Sequence, residues 1–449
     1  MGSTVALAQF ITETSIDDIP ENVKQKAKEA ITDLVGVAIY GSHHDVGQRI
    51  ATYVESMSPG TDATMFGREK ASADGAALAN ASFGHAVDFD DTFESIVIHP
   101  TSPVFSAAFV AGEAHNGSGK DVLEAYIIGV EVAYRTGHAT YPSHYDHGWH
   151  STGTVGTFGA TAAVASIMGL SAEETQHALG IAASMSSSLK KNFGTMTKPL
   201  HSGHAAQMGV RSATLAAGGF TADPEVLDGK IGYGNVMTPT GEYKLEIVVE
   251  GLDDWGVNDL GYKPYPSGVI THAAMDAMRE IVVENDLKPA DVEAVTVALD
   301  EAASEMLHHK NPSNGLEAKF SIEFCLASIL LERDPGVHEF TDAYVTDPDT
   351  RAQTAKVNRA FEKNLFGGNF ANYAARVSVT TNDGTEYTVE EKYAPGSPNN
   401  PLSEDRLRAK FDECATDVLS PEDAAAAYDA ISTLEQDGSL EKLIKTVSN

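Results

Sequence analysis

Apolar and polar residues follow a helical period through the first part of the chain. From 20 to 40, apolar side chains recur at steps of three and four residues, which predicts an amphipathic helix. The stretch 76–83 is small and mostly apolar, and it predicts a buried helix. Ser171 and Glu174 have the spacing of a capping box and predict the start of a further helix. We therefore expect residues 1–268 to form a large helical domain.

The pattern changes in the last third of the chain. Residues 292–299 alternate and are rich in β-branched side chains, which is typical of a strand. Two further alternating stretches flank Asp383-Gly384, a dipeptide that favours a hairpin turn. Residues 269–395 therefore predict a smaller α+β lid domain. Residues 396–449 return to a helical pattern, and we expect them to pack back onto the first domain, so the predicted fold class is mostly α.

Composition narrows the classes of function. The 449 residues include 31 basic and 64 acidic side chains, so the formal net charge is −33. The acids are dispersed rather than gathered in a tail, which disfavours both a disordered tail and binding to nucleic acid. Dispersed acidity on a foldable chain fits a protein adapted to high salt, because salt screens the repulsion between like charges. We therefore predict a halophilic source.

Neither membrane insertion nor a thiolate-held metal is expected. The sequence has no run of eighteen apolar residues, and its start lacks the pattern of a signal peptide, so a cytoplasmic location is predicted. Only Cys325 and Cys414 are present. Two cysteines are too few for a Cys₄ zinc site or for the usual ligation of a [4Fe–4S] cluster.

We interpret the stretch from Gly84 to Thr92, which reads GHAVDFDDT and is followed by His99, as the one around which the chain is organised. Carboxylates, hydroxyls and imidazoles at such close spacing can bind a substrate carboxylate and transfer a proton. Burying such groups next to an apolar helix costs free energy unless they are hydrogen-bonded, so they indicate either a hydrogen-bonded structural role or a functional one. The alternative is that Asp88 and its neighbours cap a helix or face solvent.

Three other positions are candidates for the same chemistry. His150 ends a histidine-rich segment in which no pair matches a known metal motif, so a structural or substrate-facing role is favoured over metal binding. Lys198 precedes Pro199, which predicts an extended backbone for the lysine at the entrance of a helix. A lysine in this position is well placed to bind an anion. His272 lies at a predicted helix start, where a hydrogen-bonding role near the cap is the more common one.

These residues fall in motifs that resemble those of the MmgE/PrpD family, which includes 2-methylcitrate dehydratase and the cis-aconitate decarboxylases. The resemblance extends over nearly the whole chain. Its markers, in chain order, are GHAVDFDDT at 84–92, WHSTGT at 149–154, TKPLH at 197–201, KPYP at 263–266 and AKFS at 318–321.

The resemblance implies a homodimer of helical domains that each carry an α+β lid, with no metal and no organic cofactor. It places the pocket of decarboxylase-type members on six residues: Asp88, Thr92, His99, His150, Lys198 and His272. We expect His99, His150, Lys198 and His272 to be catalytic, and Asp88, Thr92, His201 and Lys263 to bind substrate. Two departures from the family pattern are Phe93, where a histidine is frequent, and a spacer before His99 that is about one residue longer.

We therefore predict a cofactor-independent polycarboxylate lyase. The leading hypothesis is decarboxylation of cis-aconitate to itaconate and CO₂, with Lys198 and His150 binding carboxylates and His99 or His272 delivering the proton. Dehydration of 2-methylcitrate by the same residues is the alternative. A dicarboxylate epimerase or isomerase is third, and a non-catalytic carboxylate-binding protein belongs to a different class.

Overall fold

Helices form most of this structure, a computed structural model that describes residues 2–240, 243–251, 254–367 and 373–448. The predicted mostly α class is therefore confirmed. The chain divides into two compact units. The helical unit comprises 1–86, 90–260 and 407–449, and the α+β unit comprises 87–89 and 261–406.

The helical unit contains long helices joined by short turns. Its helices up to residue 140 are Ser3–Glu13, Glu21–His43, Asp45–Met57, Ala73–Gly84, Thr101–Ala114 and Gly119–Thr140. Those that follow are Ser143–Asp146, Ser151–Ile167, Ala172–Met185, Thr197–Ala217, Tyr233–Met237 and Leu245–Glu250. After Glu404–Thr416, which begins within the α+β unit, come Pro421–Ser432 and Ser439–Val447. A two-stranded ribbon pairs Ala63–Thr64 with Lys70–Ala71.

Helix Ser151–Ile167 lies at the centre of the helical unit and is almost wholly buried. It packs against Gly119–Thr140, Thr101–Ala114 and Thr197–Ala217. Its glycines permit close packing with neighbouring helices: a Cβ added to Gly159 would lie 2.7 Å from the carbonyl oxygen of Gly129. The small side chains of this segment thus bring helix backbones together along the central helix.

The α+β unit is built on a four-stranded sheet. Its strands lie in the order Val357–Glu362, Val292–Asp300, Ala375–Thr381 and Glu386–Glu391. The first pair is parallel, and the other two pairs are antiparallel. The predicted central strand and hairpin are confirmed, whereas the edge strand Val357–Glu362 was not predicted from the sequence.

Helices cover one face of this sheet. The unit's helices are His272–Glu284, Gly315–Ala318, Ile322–Glu332, Asp342–Thr346 and Pro348–Thr354. Residues of Ala375–Thr381 alternate between buried and half-buried, and the buried ones join the apolar side chains of the helices in one core. Among the described residues, no helix combines the length and apolar character that are needed to cross a lipid bilayer.

Candidate active site

The segment after helix Ala73–Gly84 carries a buried polar cluster. The helix begins at the cap Ser72, whose side chain accepts a hydrogen bond from the Gly75 N–H, and it is buried as predicted. His85 follows directly, with 1% of its surface exposed, and Asp90 is fully buried. Buried polar groups need hydrogen-bond partners, and these two provide them for each other.

Asp90 accepts hydrogen bonds from two sides. His85 Nδ1 lies 3.0 and 2.9 Å from the two carboxylate oxygens of Asp90. Ser102 Oγ, from the neighbouring helix, donates to one of these oxygens at 2.9 Å. The carboxylate therefore fixes the orientation of the His85 ring and its tautomer, with the proton on Nδ1.

His99 completes this end of the cluster. Its Nδ1 donates to the carbonyl oxygen of Asp91 at 2.8 Å and lies 3.6 Å from the Asp90 carboxylate. Its ring centroid is 4.6 Å from that of His85. Because a carbonyl only accepts, Nδ1 carries a proton, and Nε2 is the nitrogen of His99 that can gain or release one.

Thr92 lies in the same buried loop. Its hydroxyl donates to the carbonyl oxygen of Ile98 at 3.3 Å, which closes the loop between Thr92 and His99. The backbone N–H of His99 donates to Thr152 Oγ1 at 3.1 Å. These bonds tie the longer spacer before His99 to the first turn of the central helix.

His150 and His201 form the other end of the cluster. His150 precedes helix Ser151–Ile167, and its backbone N–H donates to the Ser188 carbonyl at 3.1 Å. Its Nδ1 lies 2.9 Å from Nδ1 of His201, so one of the two rings donates and the other accepts. The ring of His85 stacks on that of His150 with centroids 5.9 Å apart, which links both ends.

The electrostatic setting of these two rings favours their neutral forms. Burial, followed by the charge of Lys198, lowers the pKa of His150 well below its ordinary value. Burial, followed by the charges of His85 and Lys198, lowers the pKa of His201 to about 4. Neutral imidazoles can donate and accept hydrogen bonds without adding charge to the pocket.

Lys198 is buried beside this pair, in the first turn of helix Thr197–Ala217. The expectation of an extended Lys198 before Pro199 is wrong. A proline is tolerated in a first helical turn, where its missing N–H would have no intrahelical partner, so the helix begins at Thr197. Lys198 Nζ lies 5.5 Å from the ring centroid of Phe193, and the Phe193 ring is nearly perpendicular to that of His150 with centroids 4.8 Å apart. The predicted position at a helix entrance is confirmed.

A cavity of about 850 Å³ in the helical unit extends to His201. Trp149, Leu189 and His204 also line it. His204 Nε2 bonds the Met185 carbonyl at 3.1 Å, so this histidine is held by backbone rather than by the buried cluster. A small molecule in the cavity would therefore meet His201 first among the clustered imidazoles.

In the α+β unit, Asp88 and Lys263 form a buried pair. Lys263 Nζ donates to the Asp88 carboxylate and, at 2.8 Å, to the Asp88 carbonyl oxygen. Asp88 has a φ of 56°, in the left-handed region that Asp adopts more readily than most residues. Both predicted substrate-binding residues of this unit are thus bonded to each other.

His272 is the first residue of helix His272–Glu284 and is fully buried. Its Nε2 donates to the Ser267 carbonyl at 3.2 Å, and its ring meets Tyr265 edge-on at 5.7 Å. Each unit thus brings some of the predicted residues together. The prediction that residues of both units serve one site stays a prediction.

His85 and Asp90 belong to the buried cluster but were not among the site residues predicted from the sequence. Both lie inside the motif at 84–92, and both are more deeply buried than His99. The sequence feature that pointed to the cluster was the high density of polar groups directly after an apolar helix. That density does not reveal which carboxylate turns toward the imidazoles.

His85, Asp90 and His99 also carry nitrogen and oxygen atoms of the kind that divalent metals prefer, within 4.8 Å of one another. The hydrogen bonds of Asp90 already account for this closeness, so the geometry does not by itself identify a metal site. The prediction that the protein binds no metal stays a prediction.

Comparison with known proteins places the chain in a class. The MmgE/PrpD N-terminal domain matches residues 5–246, and the MmgE/PrpD C-terminal domain matches residues 265–436. The chain therefore belongs to the MmgE/PrpD family, as its motifs predicted.

Curated relatives are similar over nearly the whole length. Cis-aconitate decarboxylase of Mus musculus is 28% identical over 96% of this chain and 90% of the relative. The human enzyme of the same name is 27% identical over 96% of this chain and 92% of the relative. Cis-aconitate decarboxylase of Aspergillus terreus is 26% identical over 97% of this chain and 94% of the relative. The predicted enzyme class, a lyase, is confirmed by these relatives and the family.

Proposed function

We propose that this chain is a cis-aconitate decarboxylase, which converts cis-aconitate to itaconate and CO₂. The observation that carries the proposal is the juxtaposition of Lys198 with His150 and His201, beside a second imidazole pair, His85 and His99. Full-length similarity to enzymes named for this reaction supports the choice of substrate.

The reaction makes two demands that this cluster can meet. A tricarboxylate needs fixed donors for its negative charge, and Lys198 with the neutral His150 and His201 supplies them. Loss of CO₂ leaves carbanion-like charge on the remaining skeleton, which must be protonated. His99 offers Nε2 for that transfer, since its Nδ1 is bonded to a backbone carbonyl.

Thr92 supports His99 by closing the loop that carries it. In the α+β unit we assign Asp88 and Lys263 to the support and binding of substrate. His272 is kept as the second proton donor to be tested. Substitution of each residue, with kcat and KM measured separately, distinguishes binding from proton transfer.

We further propose that the enzyme is a cytoplasmic homodimer that needs no metal and no organic cofactor. Light scattering on the purified protein tests the dimer. Activity that survives dialysis against a chelator supports the metal-free assignment, and activity restored only by an added divalent ion contradicts it.

The function is tested by incubating the protein with cis-aconitate and with 2-methylcitrate at high KCl, followed by mass spectrometry. Loss of the mass of CO₂ from cis-aconitate supports the proposal. Loss of water from 2-methylcitrate alone identifies a dehydratase instead. Solvent deuterium incorporated without loss of mass points to an epimerase or isomerase, and binding without any change to a carboxylate-binding protein.

A further inference from the structure

Two consecutive carboxyl groups, those of Asp90 and Asp91, point into different surroundings. Asp90 faces His85, Ser102 and His99. The Asp91 carboxyl accepts from Thr101 Oγ1 at 2.5 Å, and Thr101 is in turn 2.6 Å from the Tyr126 hydroxyl. Burial raises the pKa of Asp91 well above its ordinary value, which favours the neutral acid. Of these two carboxyl groups, that of Asp90 is therefore the one that contacts the imidazoles.

The two ends of that cluster differ in the charge they can hold. The Asp90 carboxylate lies 2.9 Å from His85 Nδ1 and 3.6 Å from His99 Nδ1, so a positive charge that forms on either ring is stabilised at this end. At the other end, His150 and His201 contact each other and feel the positive charge of Lys198. A second proton on that pair is disfavoured. The end of the cluster beside Asp90 is therefore the better place for a proton that is used in catalysis.

We propose that Asp90 is a positioning residue of the decarboxylation, whose carboxylate holds His85 and His99 as the proton-carrying pair and so makes His99 Nε2 the group that protonates the product. This inference rests on the proposed function. The pair His150 and His201, with Lys198, then binds the substrate carboxylates.

The step breaks one C–C bond and forms one C–H bond. The bond from carbon to the departing carboxylate breaks, CO₂ leaves, and the bonding electrons stay on the carbon skeleton. The Nε2–H bond of His99 breaks, its electrons stay on nitrogen, and the proton forms a new C–H bond. His99 is left neutral and regains a proton from water, so each turnover consumes one proton and releases one CO₂.

Asp90→Asn tests the proposal, because it keeps the size of the side chain and removes the negative charge. We expect kcat to fall by about 100-fold or more, the range of general-acid catalysis, while KM changes by less than about threefold. Ser102→Ala removes one hydrogen bond from the carboxylate and leaves the charge. We expect it to lower kcat by about three- to tenfold.

Asp259→Asn is the matched control. The Asp259 carboxyl is also in the helical unit and accepts from Ser95 at 2.8 Å and from Tyr134 at 3.4 Å, neither of which is one of the four clustered imidazoles. Burial raises the pKa of Asp259, so an amide is a fair substitute for the acid. We expect its kcat to stay within about threefold of that of the parent enzyme.

A second measurement does not depend on turnover. In ¹⁵N spectra of the imidazoles near neutral pH, one ring of the pair His85 and His99 should be doubly protonated in the parent protein and neutral in Asp90→Asn. The variant His99→Gln identifies which ring gives the signal.

Three results would each overturn the inference: a folded Asp90→Asn with parental kcat, a folded Asp90→Asn in which only KM changes, or imidazole spectra that are the same in both proteins. If Asp90→Asn does not fold, Ser102→Ala decides, and parental kcat in that variant overturns it. If the parent protein releases no CO₂ from cis-aconitate, the proposed function fails, and the spectra still decide the role of Asp90.

Discussion

Lys263 donates to both the side chain and the backbone of Asp88, across 175 residues of sequence. Both side chains are buried, and Asp88 holds a left-handed backbone conformation. The pair thus fixes the short segment 87–89 within the α+β unit. A residue predicted to bind substrate is therefore also part of the unit's internal structure.

Breaking this pair should destabilise the protein strongly. Either Asp88→Ala or Lys263→Met leaves a buried charge without its partner, and we expect the free energy of unfolding to fall by about 3–5 kcal/mol. The double substitution should cost less than the sum of the two, because it leaves no uncompensated charge. Urea denaturation at constant KCl measures all three. Single substitutions that cost less than about 1 kcal/mol would show that the pair is not a structural element.

Lys198→Met should weaken substrate binding. A hydrogen bond from a buried ammonium group to a substrate carboxylate contributes about 1.5–3 kcal/mol to the free energy of binding. Without it, we expect KM for cis-aconitate to rise by about 10- to 100-fold. Lys191→Met is the control, since Lys191 lies in the same stretch but is exposed. Steady-state kinetics on both variants make the comparison. An equal effect of the two substitutions would mean that only the general charge of the surface matters.

Stability should decline in weak acid. The pKa of His201 is lowered from 6.5 to about 4 in the folded protein, and that of His144 likewise. Between these values the unfolded chain binds more protons than the folded one, so the free energy of unfolding falls as the pH drops from 6.5 toward 4. His201→Gln should reduce this slope, as measured by urea unfolding at several pH values. Identical slopes for parent and variant would contradict the assignment of a neutral His201.

Salt should stabilise the protein. The net charge of −33 creates self-repulsion that ions screen, so we expect the melting temperature to rise between dilute buffer and molar KCl. A melting curve against KCl concentration checks this, with activity measured at each point. A melting temperature that does not change with KCl would remove the halophilic hypothesis.

Much of the fold could be predicted from local patterns. The capping box of Ser171 and Glu174 forms as expected, because it depends on residues three positions apart. The hairpin around Asp383-Gly384 forms for the same reason. The edge strand Val357–Glu362 escaped prediction because only one side of it pairs, and its buried face is narrow.

The sequence predicted several of the side chains that cluster in the helical unit, but not how they are hydrogen-bonded to one another. The motifs named His99, His150 and Lys198, and the helical unit brings them into one cluster with His201. The hydrogen bond between His85 and Asp90 was not predictable, since GHAVDFDDT offers several carboxylates at similar spacing. Which of them turns inward depends on helix Thr101–Ala114, which supplies Ser102 to one and Thr101 to the next.

The contact between Gly129 and Gly159 limits which substitutions the enzyme can accept as its sequence changes. Gly159 lies about 13 Å along the helix axis from His150, far from any reacting atom. An added methyl group there would meet the Gly129 carbonyl at 2.7 Å and would have to displace the whole helix. Mutational scans should therefore find that Gly159 tolerates substitution as poorly as an acid–base residue does, although Gly159 takes no part in the chemistry.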